Sequence, residues 1–273
     1  MATPMGNLMD PAAVPPADFG GKIRSWRDFP YWLLGIAAIL GWIAYLVTTE
    51  ERYENAWDRI IPGLRLTIET TIYAFAIALV IGLIAGLGRI SRNVVVKNVA
   101  TFYIEVIRGV PILVLIITVA FVVVPYAAET FGFDNNSLDM KWRAIIALAL
   151  IYGAYLAEIF RAGIQSIGRG QTEAGRALGM TPGQTMRRIV LPQAIRNMTP
   201  AIGNDAIAML KDTSLLSVLA VNEITQNSRK YVATSFDSRG TYPILFAIYL
   251  TLTVSLSLLL SWYRRRFGLD DRA

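Results

Sequence analysis

A chain of 273 residues that is 54% hydrophobic, with a mean hydropathy of +0.46, is too apolar for an ordinary water-soluble domain. It contains no Cys and no His, which excludes disulfides, thiolate chemistry, Ser-His-Asp triads and His-based metal sites. The net charge of +6 comes from basic residues set beside apolar runs, the membrane pattern rather than a nucleic-acid groove.

The first 30 residues are rich in Pro (Pro11, Pro15, Pro16, Pro30) and then basic (Lys22, Arg24, Arg27). They predict a mostly flexible tail, with a short interfacial piece over Ile23 to Phe29. Gly20-Gly21-Lys22 is no phosphate-binding loop, because it lacks the upstream Gly and the following Ser or Thr. If ATP drives this protein, another chain must bind it. Tyr31 to Val47 is uncharged and barely long enough to cross a bilayer. Its aromatics Tyr31, Trp32, Trp42 and Tyr45 argue for a retained, interface-anchored helix over residues 31–48 rather than a cleaved signal.

Five more spans are expected, at about Leu64 to Leu87, Ala100 to Ala127, Ala144 to Ile164, Ala194 to Val221 and Tyr242 to Trp262. The resulting fold class is an all-α polytopic membrane protein with six transmembrane helices. Several spans hold Gly or Pro (Gly82, Gly86, Pro111, Pro200, Gly203), which a membrane bundle tolerates because small residues permit close helix contact. The acidic stretch Glu50, Glu51, Glu54, Asp58 reads as a loop between the first two spans. The polar run Asn204, Asp205, Lys211, Asp212, Thr213, Ser214 predicts a bend or break between Gly203 and Leu215. With the N-terminus inside, 16 of the 26 Lys and Arg residues fall in cytoplasmic segments and nine outside, with Arg108 inside a span. That asymmetry places both termini in the cytoplasm.

The stretch Glu173 to Pro192, EAGRALGMTPGQTMRRIVLP, lies on the cytoplasmic side in this topology. Helix formers followed by Gly179 predict a short helix over Gln171 to Met180, opened by Glu173, whose charge favours the helix N-terminus. Thr181 as cap, Pro182 at the first position and Gln184 three residues after the cap predict a second helix start. Ala174, Gly175 and Ala177 leave a low surface, to which another protein can come close.

This pattern resembles the EAA loop of ABC importer permeases: Glu-Ala-Ala, three residues, Gly, nine residues, Ile-x-Leu-Pro. Glu173, Ala174, Gly179, Ile189, Leu191 and Pro192 match in register, and Gly175 stands where the family usually has Ala. From about Pro62 to Phe267 the chain is similar to permease subunits of polar amino-acid importers (the histidine/glutamate/glutamine/arginine group). The similarity is carried by Arg108-Gly109-Val110-Pro111, Gly153 to Ile159, Ile164-Gln165-Ser166-Ile167, Leu191 to Arg196 and Leu210 to Leu215.

The resemblance implies a type I ABC importer permease fold. A five-helix core over residues 62–267 would carry the coupling loop at 171–192, with one extra, peripherally packed N-terminal helix and a cytoplasmic tail at 268–273. It implies a bacterial inner-membrane location, no catalytic residues and no cofactor in this chain. ATP and Mg would be bound by partner ATPases. The other implied partners are a second permease, alike or paralogous, an extracytoplasmic substrate-binding protein and an amino-acid substrate, with no nucleic acid. Glu173, Ala174, Gly175, Ala177, Leu178, Gly179 and Pro192 would couple to the ATPase. Such coupling needs a rigid element with two positions that nucleotide biases.

Arg108, Glu158, Asn204, Asp205, Lys211, Asp212, Thr213 and Ser214 are polar groups at membrane depth and hence pathway candidates. Asp212 is expected to point inward, toward a substrate ammonium, with Lys211 directed elsewhere. Against this stands a structural reading, in which Glu105–Arg108 and Glu158–Arg161 merely neutralise each other at i,i+3. Val110 and Leu115 are apolar where the family often has Thr and Gln. An ion-driven secondary transporter is the alternative function, but only one helix interruption and no inverted repeat are visible. A membrane enzyme lacks suitably paired carboxylates.

Overall fold

Helices make up nearly all of the described residues, 31–132 and 138–267 of a computed structural model, and no strand occurs among them. The predicted tails at 1–30 and 268–273 lie outside the described residues. The centre is α7 (Met140–Gln165), whose apolar stretch is two-thirds buried. Its principal neighbour is α3 (Leu64–Arg89). At 26 residues each helix is about 39 Å long, enough to cross a hydrocarbon layer of about 30 Å.

Small residues make that contact. A Cβ built at Gly82 of α3 would stand 2.7 Å from Leu156 Cβ, and one at Gly86 would stand 2.7 Å from the Ala157 carbonyl oxygen. Gly153 of α7 is pressed against Ile81 in return, at 2.7 Å. Without a hydrophobic force between helices in lipid, such backbone-close contacts supply the dispersion energy that holds them.

The predicted span Ala100 to Ala127 is not one helix. α4 (Val94–Gly109) is capped by Asn93, whose Oδ1 accepts from the Val95 and Val96 amides at 2.9 and 3.3 Å. It stops at Val110, which is extended with φ −116° and ψ 141°. Pro111 is the cause: it has no N–H to continue the ladder, and its ring drives the preceding residue out of the helical region. α5 (Ile112–Thr118) then runs through a π turn (Val119–Val123) into α6 (Val124–Thr130).

The acidic stretch predicted as a loop is also helical. α2 (Glu51–Ile60) leads through a 3-10 turn at Ile61–Gly63 into α3, giving a helical stretch Glu51–Arg89. Pro62 sits in the first turn of that 3-10 segment, where its missing N–H costs nothing. α1 (Tyr31–Thr49) buries only Ile43 and packs on α2 and α12 (Ser238–Arg266).

α10 (Leu191–Asp212) crosses alongside α7, α12 and α3. It stays helical through Gly203 and past Pro200, so the expected break begins only at Thr213, where the chain tightens into a 3-10 helix, Thr213–Leu219. α11 (Ile224–Ser235) follows beyond it. Five helical stretches among the described residues are long and apolar enough to cross a membrane: 31–49, 51–89, 112–130, 140–165 and 238–266. α10 is the sixth crossing by its place in the bundle; its Arg196, Asn204, Asp205, Lys211 and Asp212 hide it from hydropathy.

Candidate functional site

Two polar regions stand out, one at an end of the bundle and one inside it. The end region is a helical hairpin. α8 (Arg169–Ala177) closes with Gly179 at φ +76°. The Met180 amide donates to the Gly175 carbonyl at 3.1 Å and the Gly179 amide to the Arg176 carbonyl at 2.9 Å. Together these bonds form the six-to-one and five-to-two closure of a Schellman motif, which needs a left-handed residue at this point. The next helix, α9 (Pro182–Thr185), opens with a complete capping box. Gln184 N donates to Thr181 Oγ1 at 3.3 Å, and Thr181 N donates to Gln184 Oε1 at 2.9 Å. It continues through a π turn, Met186–Val190, into α10.

Two details differ from the expected loop. The helix begins at Arg169, so Glu173 lies in its second turn and does not interact with the N-terminal dipole. Gly175 does not offer a low surface to a partner. It is buried against this chain, where an added Cβ would meet Thr185 Cγ2 at 2.9 Å and Ile189 Cδ1 at 3.0 Å. The exposed face is instead Glu173, Ala174, Ala177 and Leu178, the last 81% exposed. Pro192 is exposed near the start of α10.

Along the bundle helices the charged candidates divide into two groups. Glu158 on α7 accepts from Arg89 Nη1 at 2.9 Å and from Arg161 Nε at 3.0 Å. Arg89 also bonds Glu105 Oε1 at 2.7 Å. The anticipated Glu158–Arg161 pair thus exists, but Glu105 pairs with Arg89 of the neighbouring helix rather than with Arg108. Arg108 ends α4 exposed, with no ion-pair partner among the described residues, and adds a third positive charge near Glu158.

The second group lies on α10. Asp212 accepts from Tyr152 Oη of α7 at 2.7 Å and is partly buried, while Lys211 is exposed. Asp205 stands seven residues earlier, within about 20° on the same helical face, and its Oδ2 is buried with no hydrogen-bond partner among the described residues. Tyr155 stacks at a tilt beside Tyr152, with ring centroids 5.9 Å apart. Thr213 is buried and its hydroxyl donates to the Leu210 carbonyl at 2.7 Å, closing the helix end. Ser214 is partly buried and Asn204 exposed.

Sequence reading missed Tyr152, Arg89 and Glu223. Tyr152 stands just before Gly153-Ala154-Tyr155 in an ordinary apolar run, and only the fold, which brings it to Asp212 across 60 residues, gives it a polar role. Glu223 is fully buried and caps α11, accepting from the Thr225 and Gln226 amides at 2.8 and 2.6 Å. Burial pushes its carboxyl up to about 7, against the pull of those amides. No cluster of three metal-ligating side chains occurs among the described residues.

Six crossings around polar interior groups, with a capped hairpin projecting at one end, define a transport permease. Residues 78–268 match the family of binding-protein-dependent transport system inner membrane components, and the chain belongs to it. It is 36% identical over 207 residues to the glutamine transport system permease protein GlnP of Escherichia coli (strain K12), covering 76% of this chain and 92% of that protein. It is 34% identical over 225 residues to the glutamate/aspartate import permease protein GltK of Escherichia coli O6:H1, covering 78% and 99%. Among solved structures, an amino acid ABC transporter crystallised with histidines is 37% identical, with a TM-score of 0.68 over 77% of this chain and 94% of that one. The inward-facing MetNI methionine ABC transporter, at 19% identity and a TM-score of 0.64 over 78% and 97%, shares the fold. The chain is therefore a permease subunit of the ABC importer type, and the ion-driven alternative falls away.

Proposed function

We propose that this permease carries polar L-amino acids inward through the α7–α10 interior, with both termini in the cytoplasm, and is driven by separate ATPase subunits docked on the α8–α9 hairpin. The observation that carries the reading is the hairpin itself. Its two helix ends are closed by their own capping bonds, so the exposed Glu173, Ala174, Ala177, Leu178 and Gly179 move as one body. Such a body transmits a push from a neighbour without chemistry of its own. The relatives named for glutamine and glutamate/aspartate transport support an amino-acid cargo. ATP and Mg belong to the ATPase in this scheme. A second permease subunit and an extracytoplasmic binding protein complete it.

Asp212, oriented by the Tyr152 hydroxyl, is the anionic group for the substrate ammonium, and Asp205 lies on the same face of α10. Arg108, unpaired, is a cation for the substrate carboxylate. Ser214 supplies a further hydroxyl. Thr213, whose hydroxyl proton is engaged by Leu210, keeps the helix end in place.

Uptake of labelled amino acid should stop on ATP depletion while the proton gradient persists, and the intact complex should purify with an ATPase chain. Uptake that follows the proton gradient instead would overturn the reading. The chain has no native Cys, so a cysteine at Asp58 should react with an impermeant reagent from outside and one at Thr172 should not. The reverse labelling would invert the topology.

A further inference from the structure

At the end of the bundle opposite the α8–α9 hairpin, α2 and α11 border an open cleft of about 380 Å³ lined by Arg59, Asn227, Lys230, Tyr231 and Thr234. Every one of these side chains can donate a hydrogen bond, two carry full positive charge, and none is a carboxylate. Lys230 is anchored by a neutral partner, donating to Asn222 Oδ1 at 2.5 Å, so its charge stays uncompensated. Arg59 has no ion pair among the described residues. Asp58, its neighbour on α2, is turned about 100° away around the helix.

The level of the pocket is set by the helix that carries Arg59. α3 alone, 26 residues or about 39 Å, already exceeds a hydrocarbon layer of about 30 Å, so α2, joined to its start through the 3-10 turn, stands at the headgroup level. Trp57, two residues from Arg59, lines an aliphatic groove of about 440 Å³ between α1, α2 and α12, walled by Leu40, Ile43, Val47, Ile248 and Leu252. The Tyr231 ring packs against the cluster that includes Ile43 and Ile248, so the polar pocket and the groove share one apolar wall. Polar pocket, interfacial Trp and aliphatic groove thus occur together around one short helix.

We propose that this pocket binds the phosphate of an anionic phospholipid, tying the N-terminal α1–α2 segment to α11 and α12. The pocket offers no acid to a free amino acid's ammonium, and its two cations favour a headgroup of net negative charge over a zwitterionic one. Arg59 lies before the family-matched residues 78–268 and Lys230 within them, so the site draws on both parts of the chain. The proposal requires only that the chain spans a membrane, and it does not depend on which end faces outward or on the cargo.

The test uses the intact transporter in nanodiscs of phosphatidylcholine, with or without phosphatidylglycerol, followed by native mass spectrometry after detergent extraction. The wild type should retain phosphatidylglycerol, and the Arg59→Gln/Lys230→Gln variant should retain roughly tenfold less, with assembly and basal ATPase activity unchanged. Should the double variant fail to assemble, Arg59→Ala alone should lose about threefold. Equal retention of phosphatidylcholine, or of phosphatidylglycerol by the variant, would overturn the proposal. Protection by inorganic phosphate in a transporter that retains no phosphatidylglycerol would mark a free-ion site and would also overturn it. Unchanged lipid retention with weakened binding-protein affinity in the variant would show a protein-docking face instead. Amino-acid uptake in the same discs reports on the transport reading separately.

Discussion

The hairpin at 169–190 and the charged interior are both polar, yet they are held by different kinds of interaction. Every bond that shapes the hairpin spans five residues or fewer: Met180 to Gly175, Gly179 to Arg176, and Thr181 with Gln184 in both directions. The interior is held across the chain, with Arg89 reaching Glu158 over 69 residues and Tyr152 reaching Asp212 over 60. The hairpin is consequently a self-contained rigid body, the lever of the proposed function, whereas the interior reports the arrangement of α3, α4, α7 and α10. A transporter needs both: a rigid part that is pushed and a part whose contacts change when helices shift.

The hardest blow to the lever is Gly179→Val. A β-branched side chain at φ +76° is strongly disfavoured, and the Schellman closure should open. Substrate-stimulated ATPase activity and uptake should be lost while the permease still inserts; full stimulation in this variant would remove the hairpin from the coupling path. Gly179→Asn, which tolerates the left-handed region, should keep most of the activity.

In the interior, Asp212→Asn removes charge but keeps shape. In a normally assembled complex it should weaken amino-acid affinity by one to two orders of magnitude, about 1.4–2.8 kcal/mol, measured without the binding protein. Tyr152→Phe, which only frees the carboxylate, should have a smaller effect in the same assay. Unchanged affinity in Asp212→Asn would assign the pocket to the partner permease.

Glu158→Gln sharpens the contrast between local and long-range support. It leaves Arg89 and Arg161 without their shared acid and should lower the thermal stability of the solubilised complex by about 2 kcal/mol. Adding Arg89→Gln should return part of that loss, with a coupling of about 1 kcal/mol in the double-mutant cycle. Additive losses would show that the two charges do not interact.

The smallest effect is expected back in the hairpin. Gly175→Ala gains helix propensity of about 1 kcal/mol but places a Cβ 2.9 Å from Thr185 Cγ2, so the net change should be under about 1 kcal/mol. Thr185→Ser removes that methyl and keeps the hydroxyl that bonds Thr181, so the pair should recover part of any loss, the contacts to Thr185 Oγ1 and Ile189 Cδ1 at 3.0 Å remaining. A large loss that Thr185→Ser does not relieve would mean that Gly175 serves something other than the Thr185 contact.

The sequence by itself determined the membrane class, six crossings, the family and the hairpin. Each rests on a signal local in sequence: runs of apolar residues, a cap three residues from its partner, a Gly where the chain must turn left. Boundaries were less legible for the same reason. Val110-Pro111 splits a span that hydropathy alone joins. Glu51 to Ile60 has local helix signals, with Glu51 and Glu54 in its first turn and Arg59 in its last, but its charge reads as a loop until α1, α11 and α12 are seen to pack against it. Only the tertiary structure decided which charges meet. Arg89 counted as a loop cation and Tyr152 as one more apolar residue until the close α3–α7 and α7–α10 contacts brought them to Glu158 and Asp212. Removed from water, a carboxylate takes the donor that packing brings nearest, whatever its distance along the chain.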